Sequence, residues 1–286
     1  MVWEPLAAET LGVRSMSVRY DNVVIDPSAS LAPRRFGLPP HPLEWEELVN
    51  AAKRIVRALD GSDVVIITHY HRDHYNPGWL YDNSILDGKI LIIKDYKRFI
   101  NVSQKIRAYK FLKQLQEKRV NVRIEIADNS LMEVSSHIFK FSPPLPHGDS
   151  ERLGYVVAVE IDGEFAFSSD IQGGPLDVHD WLVKSEAKTV VIDGPPLYLS
   201  RIKVDDSHFK LINILGGRAI VDHHIARIKE WRKFLKFKVK AFNDVLAIPE
   251  KLLEAKRDEL YENYPVEDSW FKLSFSEMRS LYFPVR

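Results

Sequence analysis

The chain contains no cysteine, which removes disulfides, thiolate metal ligands and a thiol nucleophile together. Neither sign of charge is in excess. Lys+Arg and Asp+Glu each number 40, so the formal net charge is zero and no overall field draws the chain to nucleic acid or an anionic membrane. No stretch approaches the ~20 apolar residues that a membrane span needs. The opening "MVWEPLAAETLGVRS" lacks a basic region followed by a long apolar run, so it does not read as a signal peptide. A cytoplasmic protein is the expectation. Absent cysteine, few methionines and many charges fit a thermophile.

What is present suits an ordinary globular protein. Apolar residues make up 45% and charged residues 28% of 286, enough for a large core. Strands are expected at "SMSVRY", "NVVIDP", "KILIIKD", "NVRIEIAD" and "HIFKF", and buried strands at "DVVIITH", "TVVIDG" and "GGRAIVD". "GYVVAVEIDGEFAFSSD" reads as a hairpin turning at "IDGE". Between strands, "LEWEELVNAAKRIVRAL" and "SQKIRAYKFLKQLQEKR" carry the three- and four-residue apolar spacing of helices. "SASLAPRRFGLPPHPLE" is too irregular for either and reads as an ordered loop. One domain, residues 1–286, is expected, with a charged helical extension from about residue 225.

The chemistry concentrates in "THYHRDHYNP", which sets His69, His71, Asp73 and His74 at the end of an apolar strand. Alternate residues of an extended segment point the same way, so His69 and His71 can reach one metal ion. Asp73 and His74, past the turn, can face a second. Such ions need further ligands, and His147, Asp170 and His223 share one placement, each closing or following a β-type run. His224 adjoins His223. Without cysteine the donors are imidazole and carboxylate, a set that suits zinc, manganese, iron or nickel.

These residues, in this order, resemble the signature of the metallo-β-lactamase-fold hydrolases, and are most similar to an archaeal branch of that superfamily. The resemblance runs from about Asp26 to His223. It implies an α/β (α+β) fold, a four-layer αββα sandwich of two mixed sheets flanked by helices. It implies that His69, His71 and His147 hold one divalent ion, that Asp73, His74 and His223 hold a second, and that Asp170 bridges them. Asp26 would orient the signature loop without being a ligand. By the family pattern the last ligand falls on His223 rather than His224. Lactamases of this fold often carry Cys where Asp170 stands, which argues against antibiotic hydrolysis here. His147 followed by Gly154 and Tyr155 is more similar to the RNase Z and phosphodiesterase side.

Two ions about 3.5–4 Å apart lower the pKa of a shared water and polarise a substrate oxygen, so metal-assisted hydrolysis is the expected reaction. Zinc is the foremost candidate metal, and Asp73 and Asp170 are the candidate catalytic residues. The expected substrate is an anionic small molecule, a phosphoester or another ester or lactone. Arg34 and Arg35, in the loop after Asp26, are the candidates to pair with it. Arg72, inside the signature loop, is expected to point away from the metals. His41, His179 and His208 read as capping or surface residues. The basic stretch "RIKEWRKFLKFKVKAF" reads as a solvated helix with Trp231, Leu235 and Phe242 docked on the core. A nuclease is the first alternative, disfavoured by the neutral charge. A di-metal redox protein is the second. Oligomeric state is not legible.

Overall fold

The computed structural model describes residues 2–149, 151–174 and 177–284. Its first half alternates strand and helix: β1 (Trp3–Ala8), β2 (Met16–Tyr20), β3 (Val23–Ile25), α1 (Pro42–Asp60), β4 (Val64–Ile67), β5 (Ile90–Ile93), α2 (Val102–Glu117) and β6 (Arg123–Ile126). The six strands form one sheet in chain order, antiparallel through β1–β3 and parallel from β3 to β6. Parallel neighbours need a crossover, and α1 and α2 supply two of them.

The second half contributes β7 (Leu131–Val134), β8 (His137–Phe141), the two-residue strands β9 (Leu145–Pro146) and β10 (Tyr155–Val156), β11 (Val159–Ile161) and β12 (Phe165–Phe167). After them come α3 (Asp180–Val183), β13 (Thr189–Ile192), α4 (Lys210–Leu215) and β14 (Ala219–Val221). The second sheet runs β14-β13-β12-β11-β8-β7, with β12, β13 and β14 parallel. The expected "IDGE" hairpin joins β11 to β12, its Asp162 and Gly163 both at positive φ.

Three apolar cores separate four layers. Side chains alternate along a strand. Val64 and Ile66 of β4 therefore face Phe139, Val159 and Phe165 of the other sheet, while Val65 and Ile67 face Trp45, Leu48 and Ile55 of α1. On the far side, Val190 and Ile192 of β13 pack with Leu182, Leu211 and Leu215 of α3 and α4. This is the expected αββα sandwich. Among the described residues, no helix is long and apolar enough to cross a membrane.

β1 and β7, both at sheet edges, lie outside the strands expected from sequence. The segment after about residue 225 is helical only in part. Arg227–Phe242, expected as helix, holds only single 3-10 turns, at His223–Arg227 and Trp231–Phe234. Lys236 to Lys240 alternates charged and apolar with period two, and Lys240 bridges to Ile220 beside β14. Trp231 and Phe242 are buried, as expected. The rest carries α5 (Phe242–Val245), α6 (Arg257–Asn263) and α7 (Phe275–Tyr282). Met278 of α7 enters the α1 core, and Tyr282 stacks on Trp45 with ring centroids 5.8 Å apart. A part-buried ion pair, Glu254 to Arg14, and a buried one, Arg257 to Glu44, tie this segment to the first half.

Candidate metal centre

The parallel strands of both sheets end at one edge, where open α/β sheets expose their loops. From there β3 delivers Asp26, β4 the His69–His74 loop, β12 Asp170, β13 Asp193 and β14 His223 and His224. His147 follows β9. All seven expected ligands thus meet, although they come from four chain segments.

Their donor atoms sort into groups whose members lie within 4.8 Å of one another: His69, His71, His147 and Asp170 form one, and Asp73, His74 and His223 another. Asp170 stands between them with its two oxygens divided. Oδ2 lies 3.1 Å from His147 Nε2 and 3.4 Å from His69 Nε2. Oδ1 lies 3.1 Å from His74 Nε2 and 3.3 Å from His223 Nε2. Asp170 Oδ1 and His69 Nε2 are buried yet have no hydrogen-bond partner. Leaving such atoms unsatisfied costs about 1–3 kcal/mol each. A divalent cation satisfies both kinds of atom, so the donor set fits a metal, and divalent metal binding is the property these clusters support.

The back of each ring is fixed as well. His74 Nδ1 lies 2.8 Å from Asp26 Oδ2, and His223 Nδ1 lies 2.8 Å from Glu9 Oε2. His69 Nδ1 lies 3.2 Å from Thr68 Oγ1 and 3.3 Å from Ser169 Oγ. Such partners take the Nδ1 proton and leave the Nε2 lone pair for a metal. Asp26 also accepts from the Thr68 amide at 2.8 Å and its hydroxyl at 2.6 Å, so one side chain fixes the start of the loop and the ring of His74. The expected orienting role of Asp26 has this geometry. Asp26 and His223 themselves sit at φ 48° and 72°, left-handed conformations that non-glycine residues occupy at a cost.

Without a cation, protons take its place in the electrostatics. Burial opposes charge on His223, but Glu9 and Asp170 outweigh it and raise its pKa to about 9. Burial likewise opposes charge on His74, which Asp170 and Asp26 hold well above the ordinary histidine value. Asp73 is held below the usual carboxylate range against its burial by His74, His223 and Arg227. Burial and then the neighbouring His74 lower His69 to about 4.

Both members of the His223–His224 pair reach the centre. His224 Nε2 lies 3.8 Å from Asp170 Oδ2, on the side of His147, and its Nδ1 lies 2.8 Å from Asp193 Oδ2. Gln172 Nε2 lies 3.2 Å from His224 Nε2 and occupies the direction a metal would take. His223 Nε2 is approached in the same way, by Arg227 Nη2 at 3.2 Å and His74 Nε2 at 3.3 Å, and His223 and His224 also group with Asp170 as donors. Glu9, Thr68, Ser169, Asp193 and Gln172 all escape the sequence reading. Asp193 alone carried a signal, because it closes an apolar strand as Asp26 does. His41 caps α1, and His208 completes the capping box of the turn at Asp206–Phe209 by accepting from the Asp205 amide at 3.2 Å. His179 is buried rather than at the surface.

Above the cluster opens a cavity of about 620 Å³ whose floor includes His71, Asp73, His147 and Asp170. Its walls include Arg14, Arg72, Arg107, Arg201, Arg227 and Arg279. Arg34 and Arg35, the expected substrate contacts, do not line it. Arg34 is exposed and donates to the Gly37 carbonyl at 3.0 Å. Arg35 donates to the Arg227 carbonyl at 3.1 Å and lies over the Phe36 ring. Their loop lends Ser30, Leu31 and Pro33 to the cavity wall and then turns back on itself through the Arg35–Leu38 bridge, which leaves Arg35 behind the wall, 5.6 Å from the centroid of the Tyr198 ring. Arg72, expected to point away, faces the cavity.

No family model matches the chain. It is 40% identical over 290 residues to a UPF0282 protein of Korarchaeum cryptofilum, covering 93% of this chain and 96% of that protein. It is 39% identical over 289 residues to a UPF0282 protein of Sulfolobus acidocaldarius, covering 92% and 93%. The chain belongs to the UPF0282 family, archaeal proteins whose designation states no activity. Among solved structures, a diphosphatase of the PhnP family is similar over 84% of this chain and 93% of that one, at 14% identity and a TM-score of 0.47. Unliganded yeast PDE1 is similar over 78% and 88%, at 12% identity and a TM-score of 0.41.

Proposed function

We propose that this chain is a metal-dependent hydrolase acting on a phosphoester of an anionic small molecule. The observation that carries the reading is the division of Asp170, one oxygen toward His69 and His147 and the other toward His74 and His223. A carboxylate so placed can serve two cations at once, with His71 completing one set and Asp73 the other. Zinc is the metal that an imidazole-rich set with two carboxylates favours among those available to it. Bound there, the ions would supply a water of lowered pKa and polarise the phosphoryl oxygen of the substrate.

The protein's own residues do the rest. Asp73, the ligand on the cavity side whose carboxylate stays ionised, is positioned to accept or orient a proton of the attacking water. Arg227 Nη2, 3.4 Å from Asp73 Oδ2, carries a positive charge to the cavity wall beside it. Tyr198 Oη accepts from Arg227 at 2.9 Å and keeps that guanidinium in place. An oxyanion entering this cavity therefore meets cationic groups before it meets any carboxylate outside the ligand set.

Elemental analysis of the purified protein, followed by a screen of phosphodiester, phosphomonoester, lactone and thioester substrates, tests the reading. The wild type is expected to hold two metal equivalents and to cleave the phosphoesters. His71→Ala is expected to lose metal and activity together. Full metal content in His71→Ala would overturn the ligand assignment, and cleavage of lactones or thioesters alone would overturn the substrate class.

A further inference from the structure

Six arginines and no lysine line the cavity, among the described residues. Two are neutralised where they stand. Arg14 pairs with Glu254 through two contacts of 2.5 and 2.6 Å, and Arg227 pairs with Glu9 at 2.6 Å. The other four, Arg72, Arg107, Arg201 and Arg279, have no carboxylate partner among the described residues. Arg107 donates only to the Tyr70 carbonyl at 3.2 Å. Arg279 donates to Ser276 Oγ at 3.3 Å and lies 5.5 Å from the centroid of the Trp79 ring. Arg72 and Arg201 are exposed.

A single unpaired arginine at a surface is ordinary. Here four converge on one cavity from the signature loop, from α2, from the loop after β13 and from α7. The chain as a whole has no net charge, so this wall is a local excess rather than an overall bias. The acidic residues lining the same cavity are Asp73 and Asp170, both in the ligand cluster. Guanidinium is also the side chain whose planar fork matches the oxygens of a phosphate or carboxylate, which lysine does not do.

We infer that the substrate carries a second phosphate group apart from the bond that is cut, and that Arg72, Arg107, Arg201 and Arg279 receive it. Four guanidiniums exceed what one carboxylate can engage. A terminal phosphate, with three acceptor oxygens and a charge near −2, can use them. This rests on the reading of the floor as a hydrolytic metal centre, since it is the floor that holds the scissile group.

The test is calorimetric and needs no turnover. Metal-loaded protein is titrated with ethyl phosphate and with the bisphosphates of a series of linear diols, from ethanediol to octanediol. At least one bisphosphate is expected to bind about tenfold tighter than the monophosphate, about 1.4 kcal/mol. In R201Q/R279Q or in R72Q/R107Q that advantage is expected to fall below about twofold, with metal content and melting temperature retained as evidence of folding. An advantage absent from the wild type, or one that survives both double replacements, overturns the inference. Elemental analysis of the same samples separates the two readings. Wild-type protein that takes up no metal overturns the floor, whereas metal-loaded protein without a bisphosphate preference overturns the rim alone.

Discussion

At and beneath the floor of the cavity, His74, His223 and His224 are each held from behind by a buried carboxylate, Asp26, Glu9 and Asp193. At the rim, Arg72, Arg107, Arg201 and Arg279 have no carboxylate partner among the described residues. The floor is built on strand ends and fixed through a second row of side chains. The rim is borrowed from loops and helices, including α7 near the chain's end. Groups that must present one lone pair in one direction need that rigidity, because a displaced ligand is a lost ligand. Groups that meet a mobile anion gain more from being free to adjust. Between them lies Arg14, on the cavity wall like the rim but locked like the floor.

Glu254→Gln breaks the comparison at that intermediate point, and its effect is expected to be the largest on stability. Burial raises the pKa of Glu254, but Arg14, Arg227 and Arg257 more than offset this and bring it from 4.5 to about 2. A depressed carboxylate contributes stability that is fully present above its unfolded value and is lost as pH falls through its folded one. The window therefore runs from about pH 4.5 down to about pH 2, and its depth is about 3 kcal/mol. Denaturant unfolding at neutral pH is expected to show a loss of about this size in Glu254→Gln, because Arg14 keeps a part-buried charge without its partner. Between pH 4.5 and 2 the variant is expected to lose less further stability than the wild type. Parallel acid limbs would mean that the pair contributes little.

Asp26→Asn unlocks the floor. The amide keeps the shape but cannot act as a charged acceptor for His74 Nδ1 and Thr68 together. Replacing partners of this kind costs roughly 10–100-fold in metal affinity, and the same loss is expected here by competition with a chromophoric chelator. Affinity in the wild type should also rise with pH up to about 9, because a cation must displace the proton that Glu9 and Asp170 hold on His223. Unchanged affinity in Asp26→Asn would remove the distinction between a locked floor and a free rim.

The candidate ligands of the floor stand out in sequence because they repeat one signal, a donor residue at or just past the end of an apolar strand. Strand ends converge by topology, so His147, Asp170 and His223 could be named although they are dispersed along the chain. The row behind them was mostly silent. Glu9 lies more than two hundred residues from His223, in a turn that resembles any other, and only the closed fold brings them together. The rim was silent for a related reason. Arginines carry no periodicity that says which way they face, and Arg34 and Arg35 stood out only by their place in the ordered loop after Asp26. The layered architecture was legible because period-two and period-3.6 patterns are local. The stretch 227–242 was not, because "KFKVK" obeys the strand period inside a segment expected to be helical.

Arg34→Gln carries the smallest expected effect. Among the described residues Arg34 is as free of carboxylate partners as the rim arginines, and equally able to bind an anion in principle. It differs in position: its guanidinium donates to Gly37 in its own loop, outside the cavity lining. If location is what makes an unpaired arginine matter, Arg34→Gln should shift stability by less than about 0.5 kcal/mol, the usual range for a surface change. Its KM for the best phosphoester found by the screen should stay within about twofold of wild type, that is within about 0.4 kcal/mol. A KM raised about tenfold in Arg34→Gln would show that this loop moves over the cavity when substrate binds. The rim would then extend beyond the four arginines that line it, and freedom from a partner, rather than placement on the wall, would be the property that selects substrate.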